Sequence, residues 1–97
     1  MARTSWDDMK AARACDLAGE AAYAAAKLAF ELGEQVRGLR EERGWSQRDL
    51  AKLTGMTQSA IARFEAGGTT PTLPILERIA NAFDSTLSVQ LKPKAVA

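Results

Sequence analysis

The 97-residue chain contains no histidine and a single cysteine, Cys15. A Cys/His zinc site, an intrachain disulfide and any catalytic triad built on imidazole are therefore excluded by composition. The chain also lacks an excess of one charge. Thirteen Lys and Arg face twelve Asp and Glu, for a net of +1, so bulk charge does not hold it to a polyanion. No apolar run approaches the ~18–20 residues that a membrane helix needs. The opening Met-Ala-Arg-Thr-Ser-Trp-Asp-Asp lacks the charged-then-apolar plan of a signal peptide, so the expected location is cytoplasmic. What remains is an ordinary balance, 46% hydrophobic and 26% charged, long enough for one domain, or one domain plus an arm, and too short for two independent cores.

The charges are unevenly placed. Residues 1–36 hold four basic and six acidic side chains, residues 37–65 six basic and four acidic, and residues 66–97 three basic and two acidic. The middle is mildly basic and the N-terminal third mildly acidic, although most single charges here read simply as solvated faces.

Residues 4–43 read as helix. Ser5 with Asp8 resembles a capping box, a short helix over about 6–14 follows, and Asp16 is placed to cap a second helix from about 17 to 43. Ten of residues 11–29 are Ala, the strongest helix former. Gly33 and Gly38 each cost such a helix up to ~1 kcal/mol relative to Ala, which leaves room for a kink or break near either. Leu28, Leu32, Val36 and Leu39 form one apolar stripe. Tyr23 and Phe30 lie roughly opposite it at ~100° per residue. They either fold back on the short first helix with Trp6 and Met9 or form a partner surface.

Punctuation becomes dense from Gly44, which ends the long helix. Ser46 is an N-cap with Asp49 at N3, and that helix runs to about Thr54, stopped by Gly55. Thr57 caps the next, which runs to about Ala66 before Gly67-Gly68. Thr72 caps a last helix with Pro74 in its first turn and Leu73, Leu76, Ile79, Ala80 and Phe83 on its buried face. Leu87, Val89 and Leu91 then alternate with polar residues, a strand pattern. The chain offers no second strand to pair with it, so pairing with the same strand of a second copy is the economical solution. A frayed tail lying on the domain is the other.

Two short helices joined by a tight glycine turn make a helix-turn-helix. The second presents Gln58, Ser59, Ala62 and Arg63 outward, short and polar at its start, as a helix end entering a major groove must be.

Ser46-Gln47 followed by Leu50-Ala51, the turn glycine Gly55, Thr57-Gln58 followed by Ile61, Glu65 and Gly67, and then Pro71 all occur in register. Over residues about 36–84 the chain resembles the phage-repressor and Cro-like helix-turn-helix domains of the Xre family. That resemblance implies an all-α, phage-repressor-like bundle. It implies roles for Gln47, beside Arg48, in phosphate contact at a helix N-terminus, and for Thr57, Gln58, Ser59, Ala62 and Arg63 at the base-reading face. Gln58 suits adenine and Arg63 suits guanine or a phosphate. Thr69 and Thr70 lie in a loop that has hydroxyls but no Lys or Arg. Arg40 and Glu65 match the family's internal salt bridge. Ala60 and Ala62 leave direct readout thin, so shape and dimer spacing on a palindromic operator must add specificity.

The Thr-Ser-Trp-Asp-Asp-Met-Lys opening, the helical arm, the Xre domain and the Leu-Ser-Val-Gln-Leu-Lys-Pro tail together look like a HigA-type antitoxin. That likeness implies a homodimer that represses its own operon, with a RelE/HigB-like toxin as partner and Trp6, Met9, Tyr23 and Phe30 as toxin contacts. The chain then divides into residues 1–35, a helical partner-binding arm; residues 36–84, the DNA-binding domain; and residues 85–97, a strand and tail in which Leu87, Val89 and Leu91 dimerise. The competing readings are a stand-alone Xre regulator without a toxin and a helical interaction module that has lost DNA binding. An enzyme is not expected, because Asp7/Asp8 and Glu41/Glu42 are adjacent helix positions pointing ~100° apart. No cofactor is expected either.

Overall fold

The computed structural model describes the backbone of residues 6–94 and the side chains of residues 17–94. Four helices follow one another: α1 (Trp6–Glu42), α2 (Gln47–Thr54), α3 (Gln58–Glu65) and α4 (Leu73–Ala82). The all-α class holds, with two departures from the pattern expected above. The first is that α1 is one helix of 37 residues. Asp16 does not start a second helix, because no proline interrupts the alanine-rich stretch and the helix propagates through it. A continuous α1 has no short first helix onto which Tyr23 and Phe30 could fold back. The second is that residues 85–94 form no strand among the described residues. A strand needs a ladder partner, and no other extended segment among the described residues supplies one. Ser5 lies outside the described residues, as do the side chains of Trp6 and Met9.

The helix starts follow local chemistry. Ser46 and Asp49 form a reciprocal capping box on α2: the Ser46 hydroxyl accepts from the Asp49 N–H at 3.1 Å, and the Ser46 N–H donates to Asp49 Oδ2 at 2.7 Å. Thr57 and Thr72 cap α3 and α4 in the same sense. The helix ends also share one device. Gly44, Gly55 and Gly67 adopt left-handed φ values of +67°, +72° and +75°, and Asp84, with φ +53°, takes that place after α4. After α3, for example, Gly68 N–H donates to the Arg63 carbonyl at 2.9 Å and Gly67 N–H to that of Phe64 at 3.0 Å. This is the Schellman closure.

The capping box makes α2 sensitive to acid. Hydrogen bonding from the Ser46 backbone N–H, and next from its side chain, holds the Asp49 carboxyl below its ordinary range. A depressed folded-state value contributes stability that is complete above the usual aspartate pKa of about 3.9 and is lost as pH falls through the folded value. Thermal melts followed by circular dichroism should therefore show a Tm that drops on acidification below that point, with a smaller drop in Asp49→Asn. Equal slopes in the two proteins would remove the box as the cause.

The core lies where α1's C-terminal half meets the other three helices. Val36, Leu50, Ala51, Ile61, Phe64, Ile79 and Phe83 are buried, with Leu32, Leu39, Trp45, Met56, Ile75 and Leu76 packed around them. At its edge Trp45 stacks on Phe83, centroids 5.4 Å apart, and Arg43 lies over both rings while donating to the Phe83 carbonyl at 3.1 Å. The α1–α2 turn is thereby fastened to the end of α4. Leu73, expected inside, is exposed, as is Leu28. Each shares an apolar stripe but lies beyond the reach of the covering helices.

Two glycines set how closely α1 approaches the rest. A Cβ on Gly33 would lie 2.5 Å from the Phe64 carbonyl oxygen and 2.6 Å from that of Glu65. One on Gly67 would lie 2.8 Å from the Phe30 Cα. So α1 rides directly on the last turn of α3 and on the loop after it. Ahead of this contact α1 projects away from the core, and residues 17–28 are all exposed. The molecule is accordingly elongated, 65 × 30 × 20 Å.

Candidate nucleic-acid interface

Helix α3 is two-faced. Ile61 is fully buried, Phe64 and Glu65 are buried, and Gln58, Ser59 and Arg63 are exposed, with Ala62 half-buried between them. The turn through Gly55 and Met56 sets α3 against α2, whose Leu50 and Ala51 are also buried. The Thr54 hydroxyl stiffens this turn, donating to the carbonyls of Leu50 and Ala51 and accepting from the Met56 N–H at 3.3 Å. Thr54 stands out in sequence only as a helix end. Its signal was a hydroxyl one residue before the turn glycine, positioned to bond back to i−4.

Beside α3 the N-terminus of α2 places Gln47, half-buried, against Gln58, and the next residue, Arg48, is exposed. Gln58 Nε2 donates to Gln47 Oε1 at 3.1 Å, which joins the first turns of the two helices through their side chains. Thr57 is spent as the α3 N-cap, its hydroxyl accepting from the Ala60 N–H at 3.1 Å. Thr69 is half-buried and Thr70 exposed in the segment after α3. Among the described residues Arg48, Lys52 and Arg63 enter no ion pair, so their charge is presented to solvent.

Beneath this surface Arg40 and Glu65 form a bidentate pair. Arg40 Nε donates to Glu65 Oε2 at 2.8 Å and Nη2 to Oε1 at 3.0 Å, with side-chain exposures of 12% and 4%. Arg40 Nη1 also donates to the Trp45 carbonyl at 2.8 Å, and Gln47 Nε2 donates to Glu65 Oε1 at 3.3 Å. The hydrogen bond to Glu65 raises the Arg40 pKa above its ordinary value. The pair thus ties α1, the α1–α2 turn, α2 and α3 at one point.

Elsewhere the side chains singled out in sequence do not converge. Tyr23 and Phe30 are 75% and 52% exposed on the projecting part of α1. Leu87 is half-buried against a groove of about 260 Å³ between α1 and α4, whereas Val89 and Leu91 are exposed.

This arrangement of α2, turn and α3 lies inside residues 36–90, which match the HTH_3 helix-turn-helix family. The chain belongs to that family. The chain is 36% identical over 59 residues to the competence pilus inhibition repressor of Acinetobacter baylyi, a match that covers 61% of this chain and 54% of that protein. It is 41% identical over 61 residues to the uncharacterized HTH-type transcriptional regulator y4dL of Sinorhizobium fredii, covering 63% of this chain and 30% of the relative. The crystal structure of the restriction-modification controller protein C.AhdI from Aeromonas hydrophila is similar with a TM-score of 0.57 and 32% identity, over 59% of this chain and 86% of that one. The chain therefore spans about half or less of the length of these two curated relatives, and the family match leaves residues 1–35 outside the shared helix-turn-helix unit.

Proposed function

We propose that the chain is a DNA-binding transcriptional regulator whose α3 enters the major groove. The observation that carries this is the division of α3 into a buried apolar face and an exposed face of Gln58, Ser59 and Arg63. Family membership and the regulators among its relatives support it. In this reading Gln58, Ser59 and Arg63 meet base edges, Thr57 and Ala62 line the same approach, and Gln47, Arg48, Thr69 and Thr70 hold phosphates. The bound form is a homodimer on a palindrome, joined through Leu87, Val89 and Leu91. The exposure of Val89 and Leu91 supports that role.

Beyond this, the arm over residues 1–35 reads as the toxin-binding part of a HigA-type antitoxin that represses its own operon. The feature that favours this is the set of exposed apolar side chains on two faces of α1, Leu17 and Leu28 on one and Tyr23 and Phe30 on the other. The alternative is a stand-alone regulator of the same family. The two separate on whether the chain co-purifies with the product of an adjacent reading frame and loses it when Tyr23 and Phe30 become Ala.

DNA binding itself is tested by selection from a random duplex library, followed by titration of the winning duplex. An inverted repeat should emerge, and Arg63→Ala should weaken its binding by about 1–3 kcal/mol. Unchanged binding in that variant would take Arg63 out of the contact.

A further inference from the structure

We infer that Glu65, a residue that faces the interior, decides which base Gln58 accepts, and that it does so through Gln47. The inference rests on the DNA reading above and adds a positioning residue to it. A carboxylate paired with a guanidinium only accepts hydrogen bonds, whereas a glutamine amide both donates and accepts. Glu65 is held by Arg40 through both oxygens, so it does not turn. Gln47, 3.3 Å from Glu65 Oε1, must therefore direct its nitrogen inward. Its oxygen is then left for Gln58, and Gln58 directs its own nitrogen to it at 3.1 Å. The direction of the whole relay is fixed at its buried end.

The relay uses one of the two N–H groups of Gln58. One N–H and the carbonyl oxygen remain on an exposed side chain. One donor beside one acceptor matches adenine, whose N7 accepts and whose N6 donates. Guanine presents two acceptors, N7 and O6, and its O6 would oppose the Gln58 oxygen. A glutamine free to rotate could turn its NH2 group to guanine; one locked by Gln47 does not. Glu65 thus contributes selectivity against guanine without touching DNA.

The test measures base preference, which a purely structural role would not change. The base facing Gln58 is first located in the selected duplex as the position whose preference disappears in Gln58→Ala. Affinities for duplexes carrying adenine or guanine there are then compared for the full chain, for Gln47→Met and for Glu65→Gln. Gln47→Met keeps the side chain's length and removes both hydrogen bonds. Glu65→Gln lets the relay run in either direction. Both should lower the adenine-to-guanine ratio by about tenfold, the scale of one lost discriminating contact. Loss of phosphate contact or stability would weaken both duplexes equally. If Glu65→Gln does not fold, the double variant Arg40→Met with Glu65→Leu takes its place, since it removes the acceptor for Gln47 without stranding a charge, and an unchanged ratio there overturns the role of Glu65. An unchanged ratio in Gln47→Met overturns the inference while leaving DNA binding intact. A wild-type chain that enriches no duplex overturns the DNA reading, and the relay with it.

Discussion

Arg40→Ala is expected to remove a large share of the stability of the helix-turn-helix domain. The substitution leaves the Glu65 carboxylate, 4% exposed, with Gln47 as its remaining side-chain donor, and deprives the Trp45 carbonyl of its partner. Breaking one side of a buried ion pair typically costs about 3–5 kcal/mol, because the surviving charge is stranded away from water. A domain of this size commonly has about 5–15 kcal/mol in total. Urea denaturation should show the midpoint shifted accordingly. Arg40→Lys should fare little better, since an ammonium cannot span two carboxylate oxygens and a carbonyl at once. Replacing both partners, as Arg40→Met with Glu65→Leu, should recover much of the loss, because neither charge is then stranded. A single Arg40→Ala variant with the wild-type midpoint would show that the pair carries no stability.

The second large effect sets two glycines of α1 against each other. Alanine in place of an exposed helical glycine normally stabilises by roughly 0.5–1 kcal/mol. Gly38→Ala should behave this way, as nothing lies within 4 Å of the added Cβ. Gly33→Ala should do the opposite. Its Cβ would meet two backbone carbonyl oxygens at the end of α3, and neither can rotate aside as a side chain would. Separating α1 from α3 should cost about 1–3 kcal/mol or more and disturb Glu65 at the same place. The sign difference between the two variants, read in one denaturation series, is the check. Stabilisation by Gly33→Ala would mean that α1 does not ride on α3 as closely as described.

These cases mark what was legible in sequence. Helix starts and stops between Gly44 and Thr72 were readable because a cap is local: Ser46, Thr57 and Thr72 act within three residues of themselves. Asp84 escaped because its left-handed φ is common for Gly and tolerated by Asp, so composition gives no warning. The pairing of Arg40 with Glu65, 25 positions apart, came through family resemblance, since no local pattern links them. In sequence Gly33 is only a cost to α1. Its use lies in carbonyls 31 and 32 positions later, which meet it only in the folded chain. Likewise the 3.6-residue period placed Leu28 and Leu73 on the apolar faces but could not say how far the covering helices extend. Asp16 has the residue type of a helix start, yet the surrounding alanines carry the helix past it.

The unbroken course of α1 gives a single helix two kinds of stability. From Gly33 to Glu42 its amide hydrogens are protected by the packed domain and exchange only when the whole unit opens. Across residues 17–28, where no neighbour covers the backbone, protection comes from continuation of a helix already nucleated in the domain, at a propagation factor of only about 1–1.6 per residue. Exchange with deuterium should accordingly rise stepwise with distance from Phe30. Heat capacity traces would record a sharp event for the packed part and a broad, shallow one for the rod ahead of it.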